Sequence, residues 1–137
     1  MRVALYYGDA DYICNWFGGE AVSLAVEYAH AAEFRAAGYA PFVVGGTEYG
    51  VVRQYGNFSF MRIYEAGHTV PYFQPEASLQ MFNRTLFHYD LATGTEKVTA
   101  ELETNGCPNS THTEAYAPLP SETGKRSVAQ KACLPIL

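Results

Sequence analysis

Aromatic residues crowd into one part of this 137-residue chain. With 11 Tyr, 8 Phe and 1 Trp, all but Tyr116 precede Leu91. Aromatic side chains bring large apolar surfaces to a core, so the core must be built before that point. Beyond it Thr, Ser, Glu, Pro and Gly dominate and no 3.6 or 2.0 period persists. The contrast predicts a folded part over residues 1–90 and a low-order tail over 91–137, largely extended or disordered from Asn105 to the end. With 9 Lys+Arg against 14 Asp+Glu, the chain has no basic stripe to displace phosphate counterions, which argues against a nucleic-acid partner. No run of 18 apolar residues is present, so no membrane-spanning helix is expected.

Within the first part the pattern alternates between strand and helix. Arg2 to Tyr7, stopped by Gly8, reads as a buried strand delivering Asp9-Ala10-Asp11 at its end. Gly19 to Ala37 reads as one amphipathic helix with Val22, Ala25, Val26, Ala29 and Ala32 on its apolar face. Pro41 to Val44 with Gly45-Gly46 gives an extended piece and a turn. Val51 to Tyr55 and Phe58 to Glu65 flank Gly56-Asn57 as a hairpin. Gly67 to Pro71 is a loop, and Pro75 opens a second helix facing the core with Leu79, Phe82 and Leu86. This order implies an α/β fold.

Cys14, Cys107 and Cys133 cannot pair fully within one chain, and none is spaced for zinc. Three of the five asparagines, Asn57, Asn83 and Asn109, open glycosylation acceptor patterns, which leans toward a secreted protein. The apolar stretch from Val3 to Tyr7 is too short for a signal core, so upstream sequence is expected.

Chemistry is expected where an acid follows the first strand and a histidine sits in the Gly-to-Pro loop after a later one. In open α/β sheets, working residues gather at the carboxyl ends of strands. A carboxylate there fixes an imidazole in one tautomer and stabilises its cation. Reading Asp9-Ala10-Asp11 as a metal site lacks a third ligand, so no metal is expected. His30, His88 and His112 have no companion motif.

The segment Gly8-Asp9-Ala10-Asp11-Tyr12-Ile13-Cys14-Asn15-Trp16 resembles the acid-bearing segment of serine carboxypeptidases. Gly67-His68-Thr69-Val70-Pro71-Tyr72 with Gln74-Pro75-Glu76-Ala77-Ser78-Leu79 resembles their histidine segment, in the family's order, most like fungal members. The resemblance covers roughly Val3 to Tyr89. It implies the C-terminal portion of an α/β-hydrolase fold, with Asp11 as triad acid and His68 as general base. Asp9 is then a neighbour that makes a turn or cap hydrogen bond. Cys14 matches a free pocket cysteine, or is simply a small buried apolar residue; Asn15 and Trp16 support the same wall, with core packing the default role for Trp16. Glu65 is a strand-end charge or a tuner of His68. Thr69 stands where the family usually has Met, which puts a preference for a bulky apolar leaving residue in doubt.

The family also implies N-glycosylation, a secreted or vacuolar location, no cofactor, no metal, and a peptide substrate gripped at its C-terminus at acidic pH. The family's Gly-x-Ser-x-Gly elbow is not in this sequence. The nucleophile and oxyanion hole would belong to a missing N-terminal portion of the same fold, and the 137 residues alone are expected to be inactive. The rival readings are a non-enzymatic truncated product and a small flavodoxin-like binding domain, for which Gly45-Gly46 is the only hint of a phosphate-cradling turn.

Overall fold

Short apolar runs punctuated by glycine become four strands of one sheet. The computed structural model describes residues 1–106. Strands β1 (Val3–Gly8), β2 (Ala40–Val44), β3 (Thr47–Tyr55) and β4 (Phe58–Ile63) line up in the order β1-β4-β3-β2. β2 and β3 form one antiparallel hairpin and β3 and β4 another, while β1 pairs with β4 in parallel, Val3 opposite Phe58 through Gly8 opposite Ile63. Gly45 and Gly46, at φ 56° and 83°, make the first hairpin turn in a conformation that side chains resist. Joining two antiparallel strands, this turn does not open a helix. The flavodoxin-like reading therefore loses its one feature.

The sheet pleat sends neighbouring residues to opposite faces, and both faces are covered. Phe60 and Val51 pack with Trp16, Phe34 and Tyr39 on one side; Met61, Ile63 and Val52 pack with Val70, Ala77 and Met81 on the other. β3 and β4 are accordingly buried along most of their length. β1 differs from expectation. It is only half-buried, because among the described residues it is the sheet's edge, and Tyr6 is 42% exposed.

The helix expected over Gly19 to Ala37 is two helices, α1 (Trp16–Ala25) and α2 (Ala31–Ala36). α1 stops where Val26 turns extended at ψ 123°. The Arg35 guanidinium donates to the Leu24 carbonyl at 2.8 Å and pairs with Glu27, tying off the first helix end from the second helix. The break brings the Tyr28 ring to 5.2 Å from that of Phe58. The buried face is also different: Trp16, Gly19, Glu20 and Ser23 face inward, and Val22 is 56% exposed. Glu20 is satisfied there by the Tyr39 hydroxyl.

A short turn of helix, α3 (Val70–Phe73), takes up the end of the expected loop, and α4 (Pro75–Leu86) begins at Pro75 as anticipated. Its orientation is reversed. Leu79, Phe82 and Leu86 are 58%, 62% and 56% exposed, while Ala77, Ser78, Met81 and Arg84 are buried. Arg84 sets this rotation by donating to the carbonyls of Leu91 (2.8 Å), Ala92 (3.1 Å) and Val43 (2.7 Å) over the ring of Phe42. The small residues let the helix lie close to the sheet. Leu79 and Phe82 instead border a groove of about 590 Å³ shared with Ala4 and Tyr6 of β1.

Residues 91–106, expected in the low-order tail, pack onto the body. Leu91 is fully buried and its N–H donates to Gln54 Oε1 at 3.0 Å. The Asp90 carboxylate accepts from the N–H groups of Thr93, Thr95 and Glu96, and Thr104 Oγ1 donates to the Gly38 carbonyl at 2.6 Å. Cys107, Asn109, His112, Tyr116 and Cys133 lie outside the described residues. Among the described residues no helix is long and apolar enough to cross a membrane.

Candidate active site

Parallel pairing of β1 with β4 puts their carboxyl ends side by side. Asp9 N–H donates to the Ile63 carbonyl at 2.9 Å and Ala10 N–H to the Ala66 carbonyl at 3.0 Å, so the two loops that follow leave the sheet together. A Cβ on Gly8 would lie 2.1 Å from the Ala66 carbonyl oxygen, so only glycine allows this approach. The result spans 57 residues of sequence: Asp11 Oδ2 and His68 Nδ1 are 2.9 Å apart.

Asp11 is fixed as well as close. Its Oδ1 accepts from the backbone N–H of Ile13 at 2.9 Å and of Cys14 at 3.0 Å, leaving Oδ2 for the imidazole. Burial opposes ionisation of this carboxyl, but the hydrogen bonds from His68, Cys14 and Ile13 outweigh it and hold it below the usual carboxylate range. An ionised carboxylate only accepts, so Nδ1 of His68 carries the proton and Nε2 keeps its lone pair in the neutral ring. The His68 side chain is 62% exposed and that of Asp11 5%, which makes the pair a rigid acid under an accessible base.

The other expected site residues fall into different places. Cys14 is an exposed free thiol beside the pair; its Sγ, a His68 ring nitrogen and an Asp11 carboxylate oxygen all lie within 4.8 Å of one another. Asn15 caps α1, accepting from Gly18 N–H at 2.9 Å. Trp16 is buried in the core with the Arg62 guanidinium 4.7 Å from its ring. Thr69 is exposed at the start of α3 and makes no side-chain cap bond, and Glu65 is exposed in a left-handed conformation at φ 54°. Asn57 is exposed in the β3–β4 turn and Asn83 is partly buried on α4. Sequence reasoning did not reach the two backbone donors on Asp11. An Asp followed by a short non-helical stretch and an Asn cap is the signal that could have found them.

Asp9 sits behind the pair, accepting from Ala66 N–H at 3.4 Å. Burial pushes its carboxyl above the usual range, against the Ala66 N–H and the Arg62 charge. With the folded pKa raised, the stability this group contributes is present below the unfolded value of about 3.9 and lost as pH rises through the folded one. Asp9→Asn keeps the acceptor and has no charge to bury. The variant should be at least as stable as the parent near neutral pH, with the advantage shrinking as pH falls. Denaturant titrations across that range check this, and a marked loss at neutral pH would contradict it.

A sheet covered by helices on both faces, with an acid and an imidazole meeting beyond adjacent parallel strands, is part of an α/β fold of the hydrolase type. The family model for serine carboxypeptidases matches residues 1–88. Carboxypeptidase S1 homolog A of Arthroderma otae is 60% identical over 94 residues, covering 69% of this chain and 14% of that protein. The Carboxypeptidase Y homolog of Arthroderma benhamiae is 48% identical over 126 residues, covering 88% of this chain and 19% of that one. Carboxypeptidase Y of Schizosaccharomyces pombe is 51% identical over 83 residues, 61% of this chain and 8% of its own. The chain belongs to the serine carboxypeptidase family, and it spans less than a fifth of the length of these relatives.

Proposed function

We propose that this chain supplies the acid and the general base of a serine carboxypeptidase that removes C-terminal residues from peptides. The 2.9 Å contact between His68 Nδ1 and Asp11 Oδ2 is the observation that carries the reading. The nucleophilic serine and its oxyanion hole come from sequence outside these 137 residues, since no Gly-x-Ser-x-Gly segment occurs in them. His68 Nε2 takes the serine proton as the hydroxyl attacks the last peptide bond, and then gives it to the departing amine. Asp11 stabilises the imidazolium between those steps. Cys14, Asn15, Thr69 and Glu65 border the space in which the leaving residue lies. The acceptor patterns at Asn57, Asn83 and Asn109 fit a glycosylated protein of the secretory route, whether secreted or vacuolar.

A fluorophosphonate probe tests the division of labour. A longer polypeptide that includes the serine elbow should be labelled and should release the last residue of an N-blocked dipeptide. The 137-residue chain alone should do neither, behaving as a truncated, non-enzymatic product. Labelling of the short chain would overturn the assignment of the nucleophile to another segment. Cleavage of internal bonds only, by the longer one, would overturn the carboxypeptidase reading.

A further inference from the structure

We propose that Asp9 is a positioning residue for the acid–imidazole pair: its carboxyl oxygen anchors the turn that carries His68, acting as an acceptor and not through its charge. The His68 side chain is 62% exposed, so packing does little to fix its ring. Its place beside Asp11 must come from the backbone that leads to it. That backbone is held two residues earlier, at Ala66. Asp9 Oδ1 accepts from the Ala66 N–H at 3.4 Å, and the Ala10 N–H donates to the Ala66 carbonyl at 3.0 Å. The two residues that follow β1 thus take both backbone polar groups of Ala66. The close approach that Gly8 permits is what brings them there.

The turn needs such a hold. Glu65 stands at φ 54°, in the left-handed region that a non-glycine residue keeps only where its surroundings impose it. The Asp9 carboxyl faces the Glu65 N–H as well, so two successive N–H groups of the bend converge on it. Ala66 is fully buried, so no water takes over its N–H once the carboxyl is gone. The loop must then move to find that N–H a partner, and a shift of about 1 Å is enough to break the contact between His68 and Asp11. These bonds need only an oxygen. Asparagine supplies one, whereas alanine and leucine do not, and leucine keeps most of the volume. The effect on the imidazole is independent of the reaction it serves; the effect on turnover rests on the carboxypeptidase reading above.

Nitrogen-15 spectra of the imidazoles in the full 137-residue chain read the hold directly, at a pH where the rings are neutral. The His68 signal is the one missing from His68→Ala. In the parent it should show the proton on Nδ1, toward Asp11, and Asp9→Asn should match it. Asp9→Ala and Asp9→Leu should each move it most of the way to the Nε2–H form that a free imidazole prefers in water. Circular dichroism of the aromatic residues verifies the fold. A plain structural role would lower stability and leave the tautomer of the folded chain untouched. The parent tautomer in Asp9→Ala and Asp9→Leu overturns the anchor, and a shift in Asp9→Asn overturns the acceptor role. Loss of the fold in both Asp9→Ala and Asp9→Leu would make Asp9 a structural residue and overturn the inference too. In a serine-bearing form, Asp9→Ala should lower kcat about 100-fold with KM little changed. A tautomer shift without that loss would uphold the anchor and count against the carboxypeptidase reading instead.

Discussion

In a serine-bearing form of the protein, His68→Ala should lower kcat on the order of 10⁵–10⁶-fold and Asp11→Asn about 10⁴-fold, with KM little changed. The first removes the imidazole proposed to take the serine proton. The second is more informative, because the geometry dictates how an amide would sit. Oδ1 of residue 11 faces two backbone donors, Ile13 and Cys14 N–H. An asparagine must keep its oxygen there and turn its NH₂ toward His68 Nδ1. That forces the imidazole proton onto Nε2, where it blocks acceptance from serine. A factor of 10⁴ corresponds to about 5.5 kcal/mol of lost transition-state stabilisation. The double variant should be little worse than His68→Ala, because the acid acts only through the base. Steady-state kinetics on a blocked dipeptide would settle the matter. Equal, additive losses would mean that Asp11 contributes independently of His68, and the triad assignment would fall.

The parts of this fold legible in the sequence are those written locally. Gly45-Gly46 marks a turn and Gly56-Asn57 a hairpin because both need φ values that glycine adopts freely, and Pro75 marks a helix start because it needs no N–H donor there. Which face of a helix is buried was not local. On α4, Ala77, Met81 and Arg84 recur at helical spacing as well as Leu79, Phe82 and Leu86 do, so periodicity cannot rank the two stripes. Hydrophobicity favoured the wrong one. Likewise the sequence does not separate α1 from α2, because Ala and Glu keep helical propensity through a break that Arg35 enforces from eleven residues beyond Leu24. The stretch 91–106 carries no hydrophobic period because, apart from the buried Leu91, its anchors are polar: Asp90, Gln54 and Thr104 hold it by hydrogen bonds. The meeting of Asp11 and His68 depends on a parallel strand pair closed across most of the folded part. No spacing rule predicts that contact; the resemblance of two segments to one family did.

Arg84 decides the orientation of α4, and its removal should cause a large loss of stability. Arg84→Met keeps much of the volume over Phe42 but leaves the carbonyls of Leu91, Ala92 and Val43 without their charged donor. Hydrogen bonds to charged groups contribute about 1.5–3 kcal/mol each, and their losses overlap because one guanidinium makes all three. The expected cost is about 3–4 kcal/mol, a large share of the roughly 5–15 kcal/mol that holds a domain folded. Arg84→Lys should fall between, since an ammonium cannot span three carbonyls with the same fork. On the opposite face, Phe82→Ser should cost less than about 1 kcal/mol in this chain, because that ring is 62% exposed. Urea titrations of the three variants distinguish the two orientations of the helix. If Phe82→Ser proved the more damaging in the isolated chain, α4 would be turned the other way. In a longer polypeptide the same reversal would carry a different meaning, namely that further sequence covers the stripe of Leu79, Phe82 and Leu86 left open here.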